Sequence, residues 1–175
     1  MPAGTTNDFA RSLKISGNMQ KAAADIVNGR DYACDAGIFN DDIFVYIAAF
    51  GLFTDVSYET KQQVKNVLGH LAYVLEGVKR ISSIPVYHIK AEHEGEVLEG
   101  DYMFGMITNS RSVGGFSKIT GKNVDLNDGL FEVTLIKAPY NMAELNLIIT
   151  SILGSRIHGD YMQTFKTSAI TVESA

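Results

Sequence analysis

Four stretches carry residues whose types and spacing could do chemistry. The first is Pro2-Ala-Gly-Thr-Thr-Asn-Asp8, running into Phe9–Leu13. Gly4 allows close backbone approach, Thr5 and Thr6 offer hydroxyls, and free amides at a helix start attract anions such as nucleotide phosphates. The same letters also spell a capped helix start after a Pro-Gly turn. The second is Asn123-Val-Asp-Leu-Asn-Asp-Gly-Leu130, where Asp125 and Asp128 stand three apart in a glycine-containing turn. Two carboxylates with turn carbonyls form a hard oxygen set suited to magnesium or calcium. Asp-Gly is equally a common turn with no metal.

The third is Asp35, set in the apolar run Tyr32–Phe39. A carboxylate there is either hydrogen-bonded or paired, or else turned to solvent by strand alternation. The fourth is Thr108–Phe116, in which Gly114-Gly115 makes a sharp turn and Asn109, Ser110 and Arg111 could bind a polar group. As a bare pattern it is a loop between strands. His70, His88, His93 and His158 are scattered, and Cys34 is the single cysteine. No Ser-His-Asp set, zinc cluster or internal disulfide follows from them.

The elements that must position these residues can be read from periodicity. Residues 7–13 read as a short helix capped by Thr5 or Thr6, with Asp8 at the positive end of its dipole. Residues 18–29 read as a second helix in which Ala22, Ala23, Ile26 and Val27 share a face and Gly29 is the stop. Residues 32–39 and 43–53 read as a hairpin about Asn40-Asp-Asp42, the second strand apolar on both faces and therefore central. A helix is expected from about 58 to 80, on the stripe Val64, Val67, Leu68, Leu71, Leu75 and Val78. Residues 86–110 read as two strands around Glu94-Gly95, with 130–138 a third. A helix near 141–154 and a last strand near 168–174 follow. The fold class is mainly β with flanking α.

With 175 residues, 46% hydrophobic and 20% charged, the chain has enough apolar material for a packed core. A net charge of -5 argues against nucleic-acid binding through a basic face. No run of about eighteen apolar residues spans a membrane. No basic stretch and apolar run follow Met1, so no secretory leader is expected, and the lone cysteine fits a reducing cytoplasmic setting.

Six of these stretches, PAGTTNDFARSL, CDAGIFN, FVYIAAFGLFTDVSYET, KNVLGHLAYVLEGVKRI, TNSRSVGGF and NDGLFEV, stand in the order found in bacterial diacylglycerol and related lipid kinases. The chain resembles that family along its whole length. The resemblance implies an α/β nucleotide-binding domain followed by an antiparallel β-sandwich, with NAD kinase/diacylglycerol kinase-like architecture. Residues 1–30 would be a remnant of the first domain and 31–175 the second. It implies ATP as co-substrate, Mg2+ as cofactor and a membrane diacylglycerol or related lipid as acceptor, at the inner face of the membrane. It leaves a homodimer open.

On this sequence the resemblance places Gly4, Thr5, Asn7 and Asp8 near the nucleotide and Asp35 in the same polar network. Asp125, Asp128 and Leu130 match a divalent-metal site, Asp128 through its carboxylate and Leu130 through its carbonyl. The family's Gly-Gly-Asp-Gly-Thr phosphate loop does not occur here, and the only Asp-Gly, 128–129, is followed by leucine rather than the family's basic glutamate. The chain is therefore expected to be an inactive fragment of a lipid kinase, its general base beyond Ala175. Its opening segment is expected to be mobile or held by a neighbouring chain. Kinases acting on a sphingoid base or a soluble nucleotide, and a non-catalytic lipid-binding or regulatory sandwich, remain the alternatives.

Overall fold

The computed structural model describes residues 2–4, 6–29, 31–52, 81–117, 119–153 and 159–174. The helix expected over 58–80 and the residue Thr5 lie outside them. Two short helices come first, α1 (Asp8–Ser12) and α2 (Met19–Val27). The strands β1 (Gly37–Phe39) and β2 (Asp42–Phe44) form a hairpin turned at Asn40, whose φ is 54°.

The remaining strands build one antiparallel sheet: β3 (Ile47–Gly51), β4 (Tyr87–His93), β5 (Glu96–Thr108), β6 (Phe131–Lys137), β7 (Met162–Thr167) and β8 (Thr171–Ser174). Helix α3 (Met142–Ile152) crosses between β6 and β7. Strand order is β7-β6-β5-β4-β8, with β3 also paired to β5. The 13-residue β5 is the spine. Its first half pairs with β4, from Tyr87↔Tyr102 to His93↔Glu96, and its second half with β3, from Ile47↔Thr108 to Gly51↔Phe104.

The β4–β5 hairpin follows from the sequence as expected. Glu94 and Gly95 both take positive φ, 49° and 86°, the geometry a two-residue turn needs. Along β4, Ile89, Ala91 and His93 turn inward while His88, Lys90 and Glu92 face out. A bulge between Tyr102 and Phe104 sets Met103 and Phe104 on the same side.

Alternation then buries both faces of the sheet. Phe104, Met106, Ile136 and Met162 pack under Leu145, Ile148, Ile149 and Ile152 of α3. Ile89, Ala91, Tyr102, Val133 and Leu135 form a second cluster, flanked by Phe50 and Phe165. Each α3 residue so buried contributes about 1.5–3 kcal/mol of transfer free energy. The fold is the expected antiparallel β domain with helices on its flank.

Three expectations fail, the first being a strand over 32–39: β1 begins at Gly37, and Asp35 lies ahead of it. Residues 43–53 are not one central strand but β2 and β3, and among the described residues β3 pairs with β5 alone and stays half-buried. The break falls at Val45-Tyr46, where the Tyr46 carbonyl accepts from Thr108 Oγ1 at 2.7 Å and Asn109 N at 3.1 Å. On α2 only Ala22 is buried, while Ile26 and Val27 are 63% and 82% exposed. Strand β7 was not legible as a strand.

Candidate functional site

The first half of the site grows out of the Gly4–Asn7 turn. Gly4 N donates to Asn7 Oδ1 and Asn7 Nδ2 donates back to the Gly4 carbonyl, both at 2.8 Å. That reciprocal pair closes the turn. Asn7, with φ 50° and ψ 40°, is the N-cap of α1, and no side chain caps the helix. The expected threonine cap is therefore corrected: the asparagine's amide serves the preceding turn instead.

Asp8 is 3% exposed, and its carboxylate is not spent on the helix dipole. Oδ1 accepts from Ser112 Oγ and from Gly115 N at 3.2 Å; Oδ2 accepts from the same amide at 3.2 Å and from the Tyr46 hydroxyl at 3.4 Å. Gly114 and Gly115, at φ 60° and 87°, turn the loop so that this amide points back at Asp8. Burial first, and then the Asp8 charge, pushes Tyr46 well above the ordinary tyrosine range, so its hydroxyl remains a donor. One helical turn on, Ser12 Oγ lies 2.9 Å from Ser110 Oγ and accepts from Arg111 N at 3.0 Å. The opening helix is thus held by its own chain, against the expectation of a mobile or externally held segment. Beside it lies an open cleft of about 390 Å³, whose lining includes Asn7, Asp8, Phe9, Leu13, Ile26 and Tyr46.

The second half is the turn 123–130. Asp35 N donates to the Leu126 carbonyl at 2.7 Å, and Asp35 Oδ2 accepts from Gly129 N at 2.8 Å. Of the two readings of Asp35, the hydrogen-bonded one holds. Asn109, fully buried, donates both amide protons, to the carbonyls of Asp35 at 2.9 Å and Leu126 at 3.1 Å. Asp125 Oδ1 accepts from Asn127 N at 3.3 Å, and Asp128 Oδ1 from Leu130 N at 3.1 Å.

Lys166 completes this half, and nothing local in the sequence announced it. Its ammonium donates to Asp128 Oδ2 at 2.8 Å and the Asn123 carbonyl at 3.0 Å. It also approaches Glu132 Oε1 to 3.3 Å. Lys166 holds Asp128 below the ordinary aspartate range, and Asp128 in turn raises the lysine. Burial pushes Glu132, 2% exposed, above the ordinary glutamate range, and the ammonium opposes that shift.

The structure therefore brings Asp35, Asp125, Asp128 and Leu130 together, and sets Asp8 with Asn7 and Gly4 in a separate group. One segment joins the groups: Asn109 faces the turn, while Ser110, Ser112 and Gly115 face α1. Sequence reasoning took 108–116 for a connecting loop. Among the described residues no three His, Cys, Asp or Glu side chains converge as a metal cluster. The turn still offers hard oxygen donors: Asp125 is exposed, and among the described residues its carboxylate accepts the 3.3 Å bond from Asn127. No helix of the described residues is long and apolar enough to cross a membrane.

Residues 49–175 match the model of the YegS C-terminal NAD kinase beta sandwich-like domain. The chain belongs to this family. Residues 1–38, ahead of the YegS C-terminal match, fit the diacylglycerol kinase catalytic domain. A diacylglycerol kinase of Bacillus subtilis (strain 168) is 34% identical over 98% of this chain and 57% of its own length. One from Staphylococcus carnosus (strain TM300) is 32% identical over 86% of this chain and 48% of its own. The chain thus spans about half the length of the curated relatives it matches. A solved structure from Bacillus anthracis str. Sterne superposes with a TM-score of 0.76 at 23% identity, over 99% of this chain and 57% of that one. A diacylglycerol kinase structure from the same organism gives 0.67 at 21%, over 99% and 54%. These carry the fold.

Proposed function

We propose that this chain is the sandwich-bearing part of an ATP-dependent lipid kinase that phosphorylates diacylglycerol, or a related lipid hydroxyl, to a phosphatidic acid. The observation that carries the reading is the seating of two half-sites on one segment, 108–116. The Gly4–Asn7 turn, leading into Asp8, stands at one end and a hard-oxygen turn, 123–130, at the other. The names of the relatives support the substrate class.

In the reaction the lipid hydroxyl oxygen attacks the γ-phosphorus of ATP. The bond from that phosphorus to the bridging oxygen of ADP breaks, and the hydroxyl proton passes to a general base. Gly4, Thr5 and Asn7 are the nucleotide-side residues that the family resemblance implies, Asn7 lining the cleft, and Asp35 fixes the metal turn through Gly129. Asp125, Asp128 and the Leu130 carbonyl would hold Mg2+, which when bound neutralises charge beside the phosphates. The family's general base, a glutamate after Asp-Gly, has no counterpart at Asp128-Gly129, where Leu130 follows, and on this reading the 175 residues alone are inactive. The whole protein works as a peripheral protein at the inner face of the membrane.

Transfer of labelled phosphate from ATP to diacylglycerol in mixed micelles, by the whole protein and not by the 175-residue chain, is the expected result. Turnover on a sphingoid base or a soluble nucleotide, with none on diacylglycerol, would overturn the acceptor assignment. The exposed apolar side chains of the β1–β2 hairpin, Ile38 at 78% and Ile43 at 74%, favour one second reading, a non-catalytic lipid-binding module. Co-sedimentation with liposomes and no ATP turnover in the whole protein would support it.

A further inference from the structure

The way Asp8 is held limits what it can do. A carboxylate offers about four lone-pair positions. Three donors reach Asp8: Ser112 Oγ on one oxygen, the Tyr46 hydroxyl on the other, and the one Gly115 N–H shared between both. All these donors are neutral, and they lie 38 to 107 residues away along the chain. The residue is 3% exposed, so a cation or phosphate-bound metal reaching Asp8 competes with these donors for its oxygens. A displaced donor then loses a charged acceptor in a partly buried site.

Two further observations extend the point from one side chain to the turn. Asp8 and Ser12 are four apart and leave the same face of α1. Ser12 bonds to Ser110 and Arg111 on the segment that supplies Ser112 and Gly115. Asn7, the residue before Asp8, is both the helix cap and the closure of the Gly4–Asn7 turn. Whatever fixes α1 therefore fixes the orientation of that turn.

We propose that Asp8 is a positioning residue: its carboxylate locks α1, and with it the Gly4–Asn7 turn, onto Ser112, Gly115 and Tyr46, and does not ligate the nucleotide's metal. What the turn binds rests on the kinase reading above; the lock does not. Ser112 and Tyr46 become positioning residues of the same site, acting through Asp8.

The test has two arms. In the 175-residue chain, urea unfolding is measured for D8N, S112A, Y46F and the D8N/S112A pair. D8N and S112A each raise the unfolding equilibrium constant about tenfold, as a buried hydrogen bond to a charged group warrants. The pair lies close to D8N alone, because the two share one interaction. Additive effects of D8N and S112A would overturn the lock. If D8N does not fold, S112A decides through rescue: S112T restores the wild-type midpoint if the hydroxyl matters, and fails to if it does not.

The second arm uses the whole protein with ATP and diacylglycerol. D8N and S112A lower kcat/KM for ATP by the same factor, about tenfold or more, and S112T restores it. The magnesium concentration giving half the maximal rate stays within about twofold of wild type, since no ligand has been removed. A shift of about tenfold or more in that concentration for D8N, absent in S112A, would make Asp8 a ligand and sink the proposal. The unfolding arm needs neither nucleotide nor lipid, so a failed kinase reading leaves the lock decided.

Discussion

Asp8 and Asp128 are carboxylates of one site held in opposite ways. Asp8 is buried and meets only neutral hydroxyl and amide donors. Asp128 lies nearer solvent and meets an ammonium, Lys166. The first arrangement is short-ranged and insensitive to salt; the second is electrostatic and screened by it. A carboxylate held by three neutral donors is tied to its own fold, whereas one paired with an ammonium can exchange that cation for another. This contrast is the ground for proposing a positioning role at one end of the site and ligand chemistry at the other.

The largest effect expected is from Lys166→Met. It strands Glu132, buried and 3.3 Å from the lost ammonium, and so costs about 3–5 kcal/mol at pH 7 by urea unfolding. The pH dependence carries a definite sign. Glu132's folded pKa is raised by burial, so its contribution is fully present at acid pH, below the unfolded value. It is lost as pH rises through the raised value. Asp128's is depressed, so its contribution is present above the unfolded value and lost as pH falls through the depressed one. Lys166→Met removes the cause of the second and strengthens the first, so the variant gains stability relative to wild type from pH 7 to pH 5. The K166M/E132Q double variant should lose that slope. A pH-independent difference between K166M and wild type would contradict this pairing.

Asp8→Ala comes next, at about 1–3 kcal/mol, because it leaves three partly buried donors without an acceptor. Its cost should be the same in low salt and in 1 M NaCl, while the destabilisation by Asp128→Ala shrinks with salt; equal salt dependence would erase the contrast. Asn109→Ala should cost about 2 kcal/mol, since two buried carbonyls lose a donor although Leu126 keeps the Asp35 amide. The smallest effect belongs to Asp125→Ala, within about 0.5 kcal/mol in thermal unfolding, as an exposed group with one 3.3 Å bond. If the turn takes magnesium, that same variant loses the heat seen on titrating the wild-type chain with MgCl2.

What the sequence made legible was local. The β4–β5 hairpin shows because alternation and Glu94-Gly95 agree on one register. Helix α3 shows because Asn141 caps it, accepting from Glu144 N at 2.9 Å, while Glu144 reaches back to Tyr140 N at 2.7 Å. Asp125 and Asp128 stood out by their spacing, whereas the family motifs grouped Asp35 with Asp8, and the structure bonds it to the 123–130 turn through Gly129 instead. Strand β7 was missed because Met162–Thr167 alternates weakly, its burial decided by β6 beside it. The role of 108–116 was missed for a stronger reason: its bonds to Asp8 and Ser12 span about a hundred residues, and no local period encodes them. Lys166, 38 residues from Asp128, is the same case.

The most direct test of the lock is amide hydrogen exchange at Gly115. Its N–H sits in a glycine turn outside the sheet's named strands, and its carboxylate acceptor is Asp8. Slow exchange in the wild-type chain, speeded about tenfold or more in D8N while the amides of β5 and of the turn 123–130 keep their rates, is the predicted result. A Gly115 amide that exchanges freely in the wild-type chain, or equally fast in both, would contradict the account.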